Sequence, residues 1–199
     1  MSKLYYVTSN TGKLGNINRI LAEHGFEVIQ LQPHDMPEIQ ADTSFEVARE
    51  KVRWAFARHR WPVLVNDTAF HVPALGGFPG PTLKYATATL GYEGFRRLIE
   101  PLPEGERGGY FEDTVAYLDT RLVAPKAFTR RIMGRVLPEP RGDHQPHPSF
   151  FMSRLFVPDG WDKTVAEMTA EEFALYRHST SLASTYHEFG TWLEGHFRP

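Results

Sequence analysis

The chain contains no cysteine. Disulfide staples, thiolate nucleophiles and cysteine-ligated zinc or iron–sulfur centres are therefore excluded. No apolar run approaches the roughly 18 residues that span a bilayer. The opening MSKLYYVTSN has too short an apolar stretch for a signal peptide, and no small-residue cleavage site follows. Neither sign of charge dominates: 22 Lys and Arg stand against 24 Asp and Glu, a net charge of −2, with both signs spread along the chain. A polybasic nucleic-acid or membrane binder would need clustered cations. Internal repeats and low-complexity segments are absent, as are H-E-x-x-H, G-x-S-x-G and G-x-x-x-x-G-K-[ST]. These absences point to a soluble, cytoplasmic protein with neither a nucleic-acid nor a membrane partner.

What is present is a globular composition. Hydrophobic residues make up 41% and charged residues 23%, which excludes a disordered or collagen-like chain. At 199 residues the chain fits one domain, residues 1–199, large enough to bury a core without staples. Leu4 to Thr8 reads as a buried strand, followed by the turn Ser9-Asn10-Thr11-Gly12-Lys13. Leu14, Ile17, Ile20 and Leu21 recur at helical spacing, and Gly25 suits the stop. Phe26 to Leu31 reads as a second strand. Thr43 or Ser44 caps a helix with Phe45, Ala48, Val52, Ala55 and Phe56 on one face. Pro62 to Val65 is a short apolar strand leading into Asn66-Asp67-Thr68. Helices are expected over 93–99 and 170–184, strands over 110–118 and 126–136, and a long loop over the proline-rich 138–148. The alternation predicts a mixed α/β fold.

Three groups of residues carry chemistry. Thr8, Asn10 and Lys13 sit where a strand turns into a helix. There, free N–H groups, a side-chain amide and an ammonium form either a phosphate cradle or an ordinary capped helix start. Glu38 and Asp67 form either a carboxylate pair suited to Mg²⁺, which prefers oxygen ligands, or two solvated acids. Lys51 and Lys84 are cations near these segments. His144, His147 and Asp143 are spaced for a metal, but a solvated loop is the better reading of that proline-rich stretch.

Four stretches taken together resemble the inosine triphosphate pyrophosphatase family. They are Val7-Thr8-Ser9-Asn10-Thr11-Gly12-Lys13-Leu14, Met36-Pro37-Glu38-Ile39-Gln40, Pro62 to Thr68 with Ala74 to Pro81, and Phe156 to Trp161 with Lys163 to Met168. The resemblance runs from about residue 3 to 185. It implies two α/β lobes around a long mixed sheet, with a central nucleotide-binding cleft, usually in a homodimer. It implies Mg²⁺-dependent hydrolysis of a nucleoside triphosphate (ITP, dITP or XTP) to the monophosphate and pyrophosphate. Thr8, Asn10, Lys13 and Thr68 would then bind the triphosphate, and Glu38 and Asp67 the metal. Asp67 would also act on the attacking water, and Lys51 and Lys84 would neutralise phosphate charge. Phe150 would stack on the base, with His178 beside it.

The departures from the family pattern gather at the base. Phe150-Phe151-Met152-Ser153-Arg154 stands where F-G-[WY]-D-P is expected, so a serine replaces the aspartate that reads the purine edge. Phe173 replaces a lysine, and Arg177-His178-Ser179 replaces S-H-R. Asn66 replaces a second acid beside Asp67. Altered base specificity is the first expectation, and a nucleotide-binding protein without catalysis is the alternative.

Overall fold

The computed structural model describes residues 2–143, 151–179 and 181–197. In chain order the elements are β1 (Ser2–Val7), α1 (Thr11–Glu23), β2 (Phe26–Leu31), α2 (Ser44–His59), β3 (Val63–His71), β4 (Pro79–Gly80), α3 (Leu83–Thr89), α4 (Gly91–Ile99), β5 (Gly108–Leu118), β6 (Lys126–Val136), β7 (Phe156–Pro158), α5 (Ala170–Ser179) and α6 (Ser181–Phe197). The strands form one seven-stranded mixed sheet in the order β2-β1-β3-β5-β6-β7, with β4 paired to β3. β1 runs parallel to β2 and to β3, whereas β6 and β7 are antiparallel. The chain divides into two compact units. The first comprises 1–68, 113–130 and 179–199, and the second 69–112 and 131–178.

The first unit shows why its strands are so apolar. Side chains alternate across a strand, so a strand covered on both faces reads as a continuous hydrophobic run. Leu4 and Tyr6 of β1, Leu64 of β3, and Val115 and Tyr117 of β5 pack with Ile17, Ile20 and Leu21 of α1 and with Tyr186 and Phe189 of α6. The intervening Val7, Val63, Val65, Ala116 and Leu118 pack on the other face with Ala48, Val52 and Ala55 of α2. Local chemistry fixes where the helices begin. Asn10 Oδ1 accepts from Lys13 N at 2.9 Å to start α1. At α2 a reciprocal box forms: Thr43 Oγ1 accepts from Glu46 N, and Glu46 Oε2 accepts from Thr43 N. Arg60, at φ +58°, ends α2.

The second unit is built on aromatic packing. The Phe70 and Phe111 rings lie 4.6 Å apart, and Phe111 meets Phe156 edge-on at 5.1 Å. Ile99, Val136, Met152 and Leu155 complete that core.

The structure corrects three readings. β3 does not stop near Val65 but continues to His71, so Asp67 lies within a strand and not in the loop after it. Past the short β1 pairing at Val63 and Leu64, its neighbour β5, and β4 at Phe70 and His71, supply pairing that local sequence does not reveal. The inner face of α2 holds Lys51 beside Val47, Ala48, Val52 and Ala55, while Phe45 is exposed. The C-terminal helical region is two helices, α5 and α6, and the seven-residue α3 had no sequence signal.

Gly134 of β6 marks a tight contact in the second unit. A Cβ there would press on the Val157 carbonyl and come within 2.6 Å of the Phe156 ring. Gly134→Ala is expected to destabilise the protein by about 1–3 kcal/mol, the usual cost of overpacking. A denaturant midpoint unchanged from wild type would contradict this packing.

Candidate active site

The sequence-derived phosphate and carboxylate candidates fall in the first unit, on opposite faces of β3. Asp67 points to the α2 face. Lys51, buried on α2, places Nζ 2.8 Å from Asp67 Oδ1 and 3.0 Å from Glu38 Oε1. Glu38 reaches in from the loop before α2 and is otherwise exposed, whereas Asp67 is buried. The two carboxylates that sequence spacing could not bring together therefore converge on one ammonium.

Electrostatics of this cluster follow from burial. Desolvation pushes the Asp67 carboxyl above the usual carboxylate range, against the opposing pull of Lys51 and Lys13. Desolvation also works against the Lys51 charge, but Asp67 and Glu38 outweigh it and hold the ammonium above its ordinary value. The result is a carboxyl with heightened proton affinity, set against a cation at hydrogen-bond distance.

On the α1 face lies a second set. Thr8 Oγ1 accepts from Asn10 N at 3.0 Å, and Gln30 Nε2 donates to the Thr8 carbonyl at 2.8 Å, which fixes the turn. Lys13 Nζ donates to Thr68 Oγ1 at 3.0 Å, across 55 positions of sequence. Thr68 in turn donates to Asp113 Oδ1 at 2.8 Å. Asn66 Nδ2 donates to the same oxygen at 2.8 Å and to the Thr114 carbonyl at 3.1 Å. Burial pulls the Lys13 ammonium below its ordinary pKa, and Asp113 is the charge that most resists this.

Asp113 was missed in sequence. Its signal was there: Glu112-Asp113 interrupts an otherwise apolar strand, where acids are disfavoured. Among the other candidates, Lys84 is exposed at the start of α3, in the second unit. Phe150, His144, His147 and the side chain of His178 lie outside the described residues. Ser153 is fully buried in a 3₁₀ turn, and its hydroxyl has no hydrogen-bond partner among the described residues. Arg154, another residue near the base motif, spends its Nε on the Gly142 carbonyl at 2.8 Å. Phe173 packs beside Tyr176.

A helix N-terminus with a side-chain cap and a lysine, set beside a lysine-bridged pair of carboxylates on a mixed α/β sheet, is the equipment of an enzyme acting on phosphate esters or anhydrides. A Ham1 family model matches residues 4–181, and the chain belongs to that family. It is 37% identical to a dITP/XTP pyrophosphatase of Thermococcus kodakarensis, over 96% of this chain and 97% of that protein. It is 35% identical to an inosine triphosphate pyrophosphatase 2 of Trypanosoma cruzi, over 85% of this chain and 83% of that one. The fold matches the solved structure of a HAM1 protein from Coxiella burnetii with a TM-score of 0.79, over 98% of this chain and all of that one, at 20% identity. Among the described residues no helix is long and apolar enough to cross a membrane.

Removing Lys51 would strand Asp67. Lys51→Met is expected to destabilise the protein by about 3–5 kcal/mol near neutral pH, the usual cost of breaking a buried pair. The cost should be pH-dependent. A carboxyl whose folded pKa is raised above its unfolded value, about 3.9, is fully tolerated below that value. Stability is then lost as pH rises through the elevated folded pKa. Unfolding measurements across pH 4–8 should show the variant's deficit growing with pH; a constant deficit would contradict the pairing.

Proposed function

We propose that the protein is a divalent-cation-dependent nucleoside triphosphate pyrophosphatase, hydrolysing (d)NTP to (d)NMP and pyrophosphate. The observation that carries this reading is Lys51, which holds Asp67 and Glu38 within 3.0 Å of one nitrogen. Homology to proteins named dITP/XTP pyrophosphatase supports the same activity.

The residues divide the work by chemistry. Thr8, Asn10 and Lys13 bind the phosphate chain, using the N-terminus of α1 and the Lys13 protons left over from its bond to Thr68, whose own proton goes to Asp113. Asp67 orients the attacking water and accepts its proton, a role suited to its raised pKa. Lys51 keeps Asp67 aligned and offsets phosphate charge. Mg²⁺ fits the donor set: Glu38 and Asp67 offer only oxygen, and this ion is commonly held by one or two carboxylates plus substrate phosphates. When bound, the ion would supply positive charge to the phosphates and lower the pKa of a bound water. Assembly as a homodimer is part of the same proposal.

Base selection is proposed to be relaxed. Ser153 stands where the family pattern has an aspartate and is fully buried, and Arg154 spends its Nε on the Gly142 carbonyl, so the purine-reading carboxylate of that motif is missing. A second reading, nucleotide binding without hydrolysis, draws on Asn66, whose amide is taken up by Asp113 and Thr114.

Two measurements test the proposal. Pyrophosphate release with Mg²⁺ across natural and deaminated NTPs and dNTPs should show turnover. The kcat/KM ratio of ITP over ATP should fall well short of the roughly 10⁴-fold that a hydrogen-bonding base site supplies. A ratio at or above that value would overturn the relaxed selection, and nucleotide binding with no pyrophosphate release would favour the second reading. Asp67→Asn should lower kcat by about 10³-fold or more while the thermal midpoint stays cooperative; near-normal turnover would remove Asp67 from the chemistry.

A further inference from the structure

Each lysine of the site faces its own carboxylate across the sheet. On the α2 face Lys51 meets Asp67 directly. On the α1 face Lys13 meets Asp113 through one hydroxyl, that of Thr68. The hydrogen-bond direction along this chain is fixed by chemistry. A carboxylate only accepts, so Thr68 must donate its single proton to Asp113; an ammonium only donates, so it must meet a Thr68 lone pair. Asn66, on the same face of β3 as Thr68, locks the arrangement by donating to the same Asp113 oxygen. Lys13 is thereby held at one proton, with no second partner among the described residues.

Asp113 carries a cost that a filler residue would not. It is 1% exposed, and its Oδ2 is buried with no hydrogen-bond partner among the described residues. A buried carboxylate is costly unless it is paired, and the partners that hold Asp113 are Thr68 and Asn66, with Lys13 behind Thr68. Burial also raises the Asp113 carboxyl, with Lys13 as the main opposing charge.

From this geometry we infer that Asp113 is a positioning residue of the pyrophosphatase site, aiming Lys13 at the phosphate chain through Thr68. The inference rests on the hydrolase reading given above. It separates two duties: Asp67 and Glu38 serve the metal and the water, while Asp113 serves the lysine. Losing the Asp113 charge has two opposed effects on substrate binding. Lys13 is aimed less well, but a negative charge near the anionic substrate is removed. Ground-state affinity therefore changes little. The transition state, which needs the lysine in place, suffers more.

The test is a double-mutant cycle of Asp113→Asn and Thr68→Val, read as kcat and KM with the nucleotide that wild type cleaves fastest. Asp113→Asn should lower kcat tenfold or more and leave KM within about threefold. The double variant should be no slower than Thr68→Val alone: Asp113→Asn keeps the acceptor and removes only the charge, which reaches Lys13 through the Thr68 hydroxyl. Thermal melts confirm folding. Should Asp113→Asn unfold, Asp113→Ser takes its place with the same criteria. A folded Asp113 variant with kcat within twofold of wild type, or losses that multiply in the double variant, would overturn the inference while leaving the hydrolase reading intact. Silence of the wild-type protein on all nucleotides would instead sink the hydrolase reading on which it rests.

Discussion

The first unit is organised around a buried ammonium that must be neutralised. Lys51 lies on the inner face of α2, among Val47, Ala48, Val52 and Ala55, where a charge is costly unless paired. Asp67 on β3 and Glu38 on the preceding loop meet that need at 2.8 and 3.0 Å. The requirement explains why an acid sits in the middle of a buried strand and why the otherwise exposed Glu38 lays its carboxylate against Lys51. The same three side chains are then poised for phosphate chemistry: two carboxylates for a hard cation and a lysine for anionic oxygen.

Strand alternation extends this logic. Because successive side chains leave a strand on opposite faces, Asn66 and Thr68 cannot join Asp67. They face α1 and meet Lys13 and Asp113. One strand thus serves two charged clusters without mixing them. Asn66, where the family resemblance leads one to expect an acid, donates to a carboxylate supplied by β5. The negative charge beside Lys13 comes from Asp113 on the neighbouring strand.

Much of this was legible in the residues. The bounds of β2 and β6 matched the strands read from the sequence, and α2 followed from an N-cap at Thr43 or Ser44 and from apolar spacing. The Asn10 cap and the Lys13 position followed from the strand-to-helix turn. Contacts between distant positions were not legible. Nothing local says that Lys13 reaches Thr68, or that Asp113 stands behind it, since 55 and 45 positions intervene. The length of β3 was underestimated because Asn66-Asp67-Thr68 is turn-like in composition and lies beyond the β1 pairing, which ends at Leu64, in a strand that β5 and β4 carry on to His71. Lys51 was read as a lysine of the 44–60 helix that would neutralise phosphate charge; its place on the buried face of α2, against Asp67, became visible once the helix was packed.

The central claim is that Glu38 and Asp67 form a cation site when substrate is present. It is tested most directly by anomalous diffraction from crystals of the Asn10- and Lys13-intact wild-type protein grown with Mn²⁺ and a slowly hydrolysed triphosphate analogue. The account predicts an anomalous peak within direct coordination distance of carboxylate oxygens from both Glu38 and Asp67, with phosphate oxygens completing the shell and Lys13 on the phosphate chain. A peak bound elsewhere, or a bound triphosphate with Lys51 still bridging the two acids and no metal between them, would contradict it.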